Sequence, residues 1–261
     1  MEDKTLVNLV IVTFNRWEYT EQCIPSIRET ASDNIPYIIT VVDNGSTDGT
    51  PDKLKEMYNA GLIDHLILLK ENIGISKAQN LGWKCHEEVP FYAKIDNDII
   101  FNKNGWLNGI INTFEKTTNI GALGYQCSDD GAEYPAVIDN GVEYRVKNGN
   151  IGGACFFVPK HINEELGYWC EEYGKYGEED ADYGMRITVS GHLNCYMMDR
   201  STITHLPDEK GDYRSFKDNE REENLKGNFW NLIKEYRAGK RPLKIETNIL
   251  DEADIEGEYI R

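Results

Sequence analysis

The sequence has no apolar stretch approaching about eighteen residues, the length that a membrane-crossing helix requires. Its start, Met1-Glu2-Asp3-Lys4, lacks the charged, apolar and cleavage segments of a secretory leader. Together these absences lead us to expect a soluble, cytoplasmic protein. No Cys-x-x-Cys pair is present; Cys23, Cys85, Cys127, Cys155, Cys170 and Cys195 are scattered, several among apolar neighbours, which points to free and mostly buried thiols. Positive charge is scarce. Lys and Arg total 28 against 45 for Asp and Glu, a net charge of -17, so most of the surface repels nucleic acid and anionic headgroups. A phosphate-bearing ligand would need local positive charge, most simply a metal ion held by some of those carboxylates. No internal repeat or low-complexity tract interrupts the chain.

At 261 residues and 40% hydrophobic content the chain can bury a sizeable core, and we read it as one α/β domain with a tail. Leu6 to Phe14 is a nearly continuous Val- and Ile-rich run, as in a strand covered on both faces. A helix follows from Trp17 to Thr30, then a second strand from Tyr37 to Val42 that ends at Asp43-Asn44-Gly45-Ser46. Further helices are expected from Thr47–Thr50 onward and over Ser76 to Cys85, with a strand at Leu66 to Leu69 between them. This alternation predicts an open, mostly parallel sheet flanked by helices, with a ligand crevice at the carboxyl ends of its strands. From Asp130 to Asn150 the composition suggests hairpins or a loop, with a turn at Asn148-Gly149-Asn150. An apolar run opens at Gly152-Gly153-Ala154, and helical periodicity resumes over Glu178 to Ile187.

The most informative segment is Asp96-Asn97-Asp98, set between Phe91–Ile95 and Ile99–Phe101. Residues two apart on extended backbone point the same way. Two carboxylates aimed together at a strand end can hold one hard divalent cation and leave its other positions to water and diphosphate oxygens. The same tripeptide is also an ordinary turn former.

Four other segments accompany it: Val10-Ile11-Val12-Thr13-Phe14-Asn15-Arg16, Val41 to Thr50, Asn72 to Gly82, and Tyr176-Gly177-Glu178-Glu179-Asp180-Ala181-Asp182. In this order and spacing, from about Leu6 to His205, the set resembles the GT-A glycosyltransferases, specifically the large inverting family 2. The resemblance implies a GT-A (Rossmann-like) domain over 1–206, with a nucleotide-binding part at 1–101 and an acceptor and catalytic part at 102–206. Residues 207–261 are left as a C-terminal helical extension and acidic tail.

By the same resemblance Thr13, Asn15 and Asp43 surround the nucleotide base, with Asp43 suited to accept from a uracil ring N–H. Gly74 permits a tight backbone approach, and Asn80 and Gly82 line the donor crevice. Gln79 stands where many relatives have Arg. Asp98 is implied as the direct metal ligand, Asp96 as a contact to ribose or metal-bound water, and His205 as the residue closing a Mn or Mg site. Asp180 is the implied general base, with Glu179 the next candidate or a contact to the acceptor; Asp182 supports structure or pairs with Arg186. The expected donor is a nucleotide sugar, a UDP-sugar in the first instance, and the acceptor a glycan or other hydroxyl compound.

Two rivals belong to other classes. A sugar nucleotidyltransferase would share the strand-end pocket, but no glycine-rich, Lys- or Arg-bearing triphosphate loop stands near the first strand. A non-catalytic nucleotide-sugar binding module would need the metal pair or the acidic triad to be broken, and neither is. Phe216 to Gly239 reads as a long helix with a stripe of Leu225, Phe229, Ile233 and Tyr236. Lys234, Arg237, Lys240 and Arg241 gather at its end, which suits the helix dipole and leaves room for peripheral membrane contact. From Asp251 onward we expect an acidic tail, mobile at its end.

Overall fold

The computed structural model describes residues 7–32, 34–127, 133–147, 149–207, 215, 217–220, 222, 228–247 and 256–260. Strand β1 (Val7–Thr13) is buried almost throughout, and helix α1 (Trp17–Thr30) returns the chain to the parallel strand β2 (Tyr37–Asp43). Helix α2 (Thr50–Asn59), strand β3 (His65–Leu69), helix α3 (Ile75–Lys84) and strand β4 (Phe91–Asp96) repeat the pattern. Each apolar run is too short for a membrane helix, and β1 and β2 are rich in β-branched residues, so these runs are stable when paired and covered on both faces. The block β3-β2-β1-β4 is parallel, and its strands all point their carboxyl ends toward one edge.

Beyond β4 the sheet becomes mixed. A short strand β5 (Ile99–Phe101) leads to helix α4 (Trp106–Lys116) and strand β6 (Ile120–Gly124). The hairpin of β7 (Ala136–Asp139) and β8 (Val142–Lys147) turns at Asn140-Gly141, both with positive φ (48° and 78°), as a two-residue hairpin loop requires. The expected hairpin is therefore present, closed by a different Asn-Gly than the one singled out from the sequence; Asn148 lies outside the described residues. Strand β9 (Cys155–Pro159) runs antiparallel between β4 and β6, followed by helix α5 (Lys160–Leu166), helix α6 (Glu179–Val189), strand β10 (Leu193–Met197) and strand β11 (Ile203–His205). Strands β5 and β11 pair apart from the main sheet.

Two expectations about the C-terminal region change. Of the helix expected over Phe216 to Gly239, residues 217–220 and 222 are helical, and a helix α7 (Phe229–Arg237) starts anew at Asn228, whose carbonyl accepts from Leu232 N–H at 3.0 Å; residues 223–227, including Leu225 of the expected stripe, lie outside the described residues. Phe229, Leu232, Ile233 and Tyr236 pack against Cys170, Tyr173 and Ala181, so α7 covers the amino-terminal end of α6. The tail is not loose at 257–260: strand β12 (Gly257–Ile260) pairs antiparallel with β3. The cause is the outer edge of β3, whose unpaired peptide groups are satisfied by these residues. All six cysteines are free, four of them buried, as the composition suggested. Among the described residues no helix is long and apolar enough to cross a membrane.

Candidate active site

The carboxyl ends of β1 and β4 border a cleft whose far wall is the segment Lys175–Asp180. Asp96 ends β4, and the alternation of the backbone sends Asp96 and Asp98 to the cleft while Asn97 turns inward. There the Asn97 amide donates to Thr20 Oγ1 at 2.9 Å and to Thr13 Oγ1 at 3.3 Å, tying the turn to β1 and α1. The register of β5 against β11 sets His205 opposite Ile99, next to Asp98. His205 Nε2 thus lies 3.3 Å from Asp98 Oδ1, and Arg16 Nη1 lies 3.4 Å from Asp98 Oδ2. Burial opposes the Asp98 charge, but His205, Arg16 and Lys217 outweigh it and hold the carboxyl below its ordinary range.

These residues fit a cation in part. Two neighbouring donors of one octahedral ion, each about 2.1 Å from it, sit roughly 3.0 Å apart, close to the 3.3 Å between Asp98 Oδ1 and His205 Nε2. Asp98 Oδ1 is buried and accepts no well-directed hydrogen bond. Asp96 is different, because its Oδ1 is engaged by Lys94 Nζ in a short ion pair. Among the described residues no group of three or more His, Cys, Asp and Glu side chains is gathered to hold a metal. Asp98 and His205 therefore suit a hard cation completed by phosphate and water oxygens, whereas Asp96 as found is a partner of Lys94.

The second acidic group comes from the start of α6. Glu178 precedes the helix with φ 65°, an uncommon backbone state for a residue with a side chain, and this turn directs Glu179 and Asp180 into the cleft. Asp180 Oδ2 accepts from Gly153 N–H at 2.8 Å and Oδ1 from Ala181 N–H at 2.7 Å. A Cβ on residue 153 would stand 2.6 Å from Asp180 Cβ, so only glycine lets β9's approach come this close. Glu179 is buried, and burial together with the Asp180 charge raises its carboxyl to about 7. Asp182 faces away from the cleft: it accepts from Arg186 Nε at 2.7 Å and Tyr173 Oη at 2.9 Å, both groups fully buried. The expected Asp182–Arg186 pair is a structural pin, with Arg186 also donating to the carbonyls of Leu166, Tyr168 and Leu243.

The other expected residues are engaged by the chain itself. Thr13 borders it, but its hydroxyl is spent on Thr20 and Asn97. Asn15 clamps the loop after β2, accepting from Thr47 N–H at 2.8 Å and donating its own N–H to Ser46 Oγ at 2.6 Å. Asp43 has no exposed surface; Ser46 N–H and Oγ–H hold its two oxygens, and burial raises it to about 6. Gly74 does allow a tight approach, but of the chain's own Gly174 carbonyl. Asn80 does not line the cleft: its amide is saturated by the Trp169 backbone and Glu171, and Gly82 is pressed against Val10. Gln79 points to the Ala93 carbonyl, so α3 supplies no cation there. The cations that border the cleft are Arg16, Lys94, Lys175 and Lys217. None was singled out from the sequence; Lys94, a charge inside an apolar strand run, was the legible signal.

The fold and this cleft define a GT-A glycosyltransferase scaffold. Residues 8–163, more than half of the chain, match the family described as Glycosyl transferase family 2. The chain belongs to that family. It is 31% identical over 124 residues to an uncharacterized glycosyltransferase of Haemophilus influenzae, a match covering 48% of this chain and 37% of that protein. It is 24% identical over 243 residues to an N-acetylglucosaminyl-diphospho-decaprenol L-rhamnosyltransferase of Mycobacterium tuberculosis, covering 78% and 77% respectively. A mannosyltransferase from Pyrobaculum calidifontis, solved with GDP-Man and Mn2+, is similar in structure with a TM-score of 0.63 at 18% identity, over 87% of this chain and 64% of that one. S. aureus TarS residues 1–349 with UDP-GlcNAc give 0.58 at 16% identity, over 80% and 61%.

Proposed function

We propose that this chain transfers a sugar from a nucleotide-sugar donor, a UDP-sugar in the first instance, to an acceptor hydroxyl with inversion at the anomeric carbon. One observation carries the reading: Asp96, Asp98, Glu179 and Asp180, from distant parts of the chain, open onto one cleft at the carboxyl ends of the parallel strands. Family membership supports the reaction class, and the neighbours solved with Mn2+ and nucleotide sugars make the same chemistry reasonable here.

Asp180 serves as general base. Its two oxygens are each fixed by one backbone N–H, which leaves outward lone pairs to take the proton of an attacking hydroxyl. Glu179, raised toward neutrality beside it, orients the acceptor. Asp98 and His205 would hold Mn or Mg, and the ion would supply positive charge against the departing diphosphate. Arg16 and Lys217 both line the cleft within electrostatic reach of Asp98 and favour an anionic ligand there. Contact of Asp43 with a uracil N–H requires the Ser46 side chain to give way, since Asp43 is covered as it stands.

The test is Asp180→Asn. Hydrolysis and transfer should fall by at least about 100-fold while calorimetric donor affinity stays within a few-fold of wild type. Full activity in the purified, folded variant would remove Asp180 from the chemistry.

A further inference from the structure

We propose that Lys94 is a positioning residue that holds the base Asp180 in place through Gly153; this rests on the function proposed above. Lys94 lies in β4 among apolar neighbours and is only 3% exposed. Burying an ammonium group costs several kcal/mol, and an apolar side chain of similar volume usually serves packing as well or better. Packing therefore gives no reason for a lysine here. Its hydrogen bonds do: Nζ donates to Asp96 Oδ1 and, at 3.0 Å, to the Gly153 carbonyl. Against burial, the charges of Asp96, Glu179 and Asp180 keep the ammonium protonated, above its ordinary range.

Gly153 is the link. The residue follows another glycine and precedes β9, so its own φ and ψ are weakly restrained. Asp96 N–H fixes the next residue by bonding the Ala154 carbonyl at 2.9 Å. Lys94 fixes the carbonyl of Gly153 itself, and Gly153 N–H then points at Asp180 Oδ2, 2.8 Å away. One buried cation thereby ties the donor-side carboxylate Asp96 to the aim of the base on the opposite wall.

Two measurements test this, one of them independent of turnover. By NMR hydrogen exchange in the full chain, Lys94→Met should speed exchange of the Gly153 amide at least tenfold while Ala93 and Ile95 amides, in the core of β4, stay within twofold. Unchanged Gly153 exchange overturns the proposal whatever the enzyme's activity. In hydrolysis of UDP-GlcNAc or GDP-mannose, whichever the wild type turns over, Lys94→Met should lower kcat about 100-fold with KM within fivefold, the signature of a misplaced base. In an Asp180→Glu background, where the longer carboxylate is already displaced from Gly153, the same change should cost less than threefold. A full 100-fold loss in both backgrounds would mean that Lys94 acts elsewhere and would overturn the assignment. Should Lys94→Met not fold, Lys94→Gln keeps a donor for the Gly153 carbonyl without the charge and should lose about tenfold in kcat; wild-type kcat and wild-type Gly153 exchange in it would refute the role. A wild-type chain that hydrolyses no nucleotide sugar instead counts against the proposed function, and the exchange result still decides the role of Lys94.

Discussion

At Asp43 a carboxyl is removed from water, and burial outweighs its hydrogen bonds from Ser46 and the Gly45 backbone and raises it from 3.8 to about 6. A carboxyl whose folded pKa exceeds its unfolded value stabilises the fold fully below the unfolded pKa, and that contribution is lost as pH rises through the folded one. The loss for Asp43 falls between about pH 4 and pH 6 and amounts to at most about 3 kcal/mol. Asp43→Asn cannot ionise. The melting temperature of Asp43→Asn minus that of wild type should therefore become more favourable to the variant as pH rises from 4 to 7. A difference independent of pH would show that Asp43 is not held in this buried state.

Among the elements, the parallel block was legible because its signals are local and redundant. Val- and Ile-rich runs ended by Asn15, by Asp43-Asn44-Gly45 or by Asp96 could only be buried strands, and α1 has the limits read from its sequence. Strand β6, helix α4 and strand β10 were not read: Ile120–Gly124 is short and two-fifths glycine, Leu193–Met197 is short and of mixed polarity, and both strands owe their conformation to partners distant in sequence. Strand β12 was hidden for the same reason. Its Tyr259 and Ile260 are half-buried at the β3 edge, while Lys70–Glu256 and Lys55–Glu258 are exposed ion pairs that contribute little. A chain ending at residue 255 should melt a few degrees lower and self-associate at high concentration, because it uncovers the β3 edge. Light scattering checks this; an unchanged melting temperature and a monodisperse sample would deny β12 a structural role.

For the molecule as a whole, the sequence disclosed the family and its acidic residues, but not what each acid touches. Asp96, Asp98, Glu179 and Asp180 were expected together and are together. Asn80 was expected to line the crevice and instead braces the 166–171 segment, because an amide on a helix looks the same in sequence whether it faces a ligand or a backbone, whereas Asp182 pairs with Arg186 as expected. The cleft cations were missed because Arg16 and Lys217 carry no motif of their own and meet Asp98 only through the fold. On a chain of net charge -17, their convergence on one cleft sets where an anionic donor can enter.

The measurement that bears most directly on this account is isothermal titration of the wild-type chain and Asp98→Ala with UDP, UDP-GlcNAc and GDP-mannose, in Mn2+ and in EDTA. The account predicts saturable binding of at least one of these to wild type in Mn2+, weakened at least about tenfold by EDTA and by Asp98→Ala alike. Equal affinity in all four conditions, or binding to none by a folded wild-type chain, would contradict it.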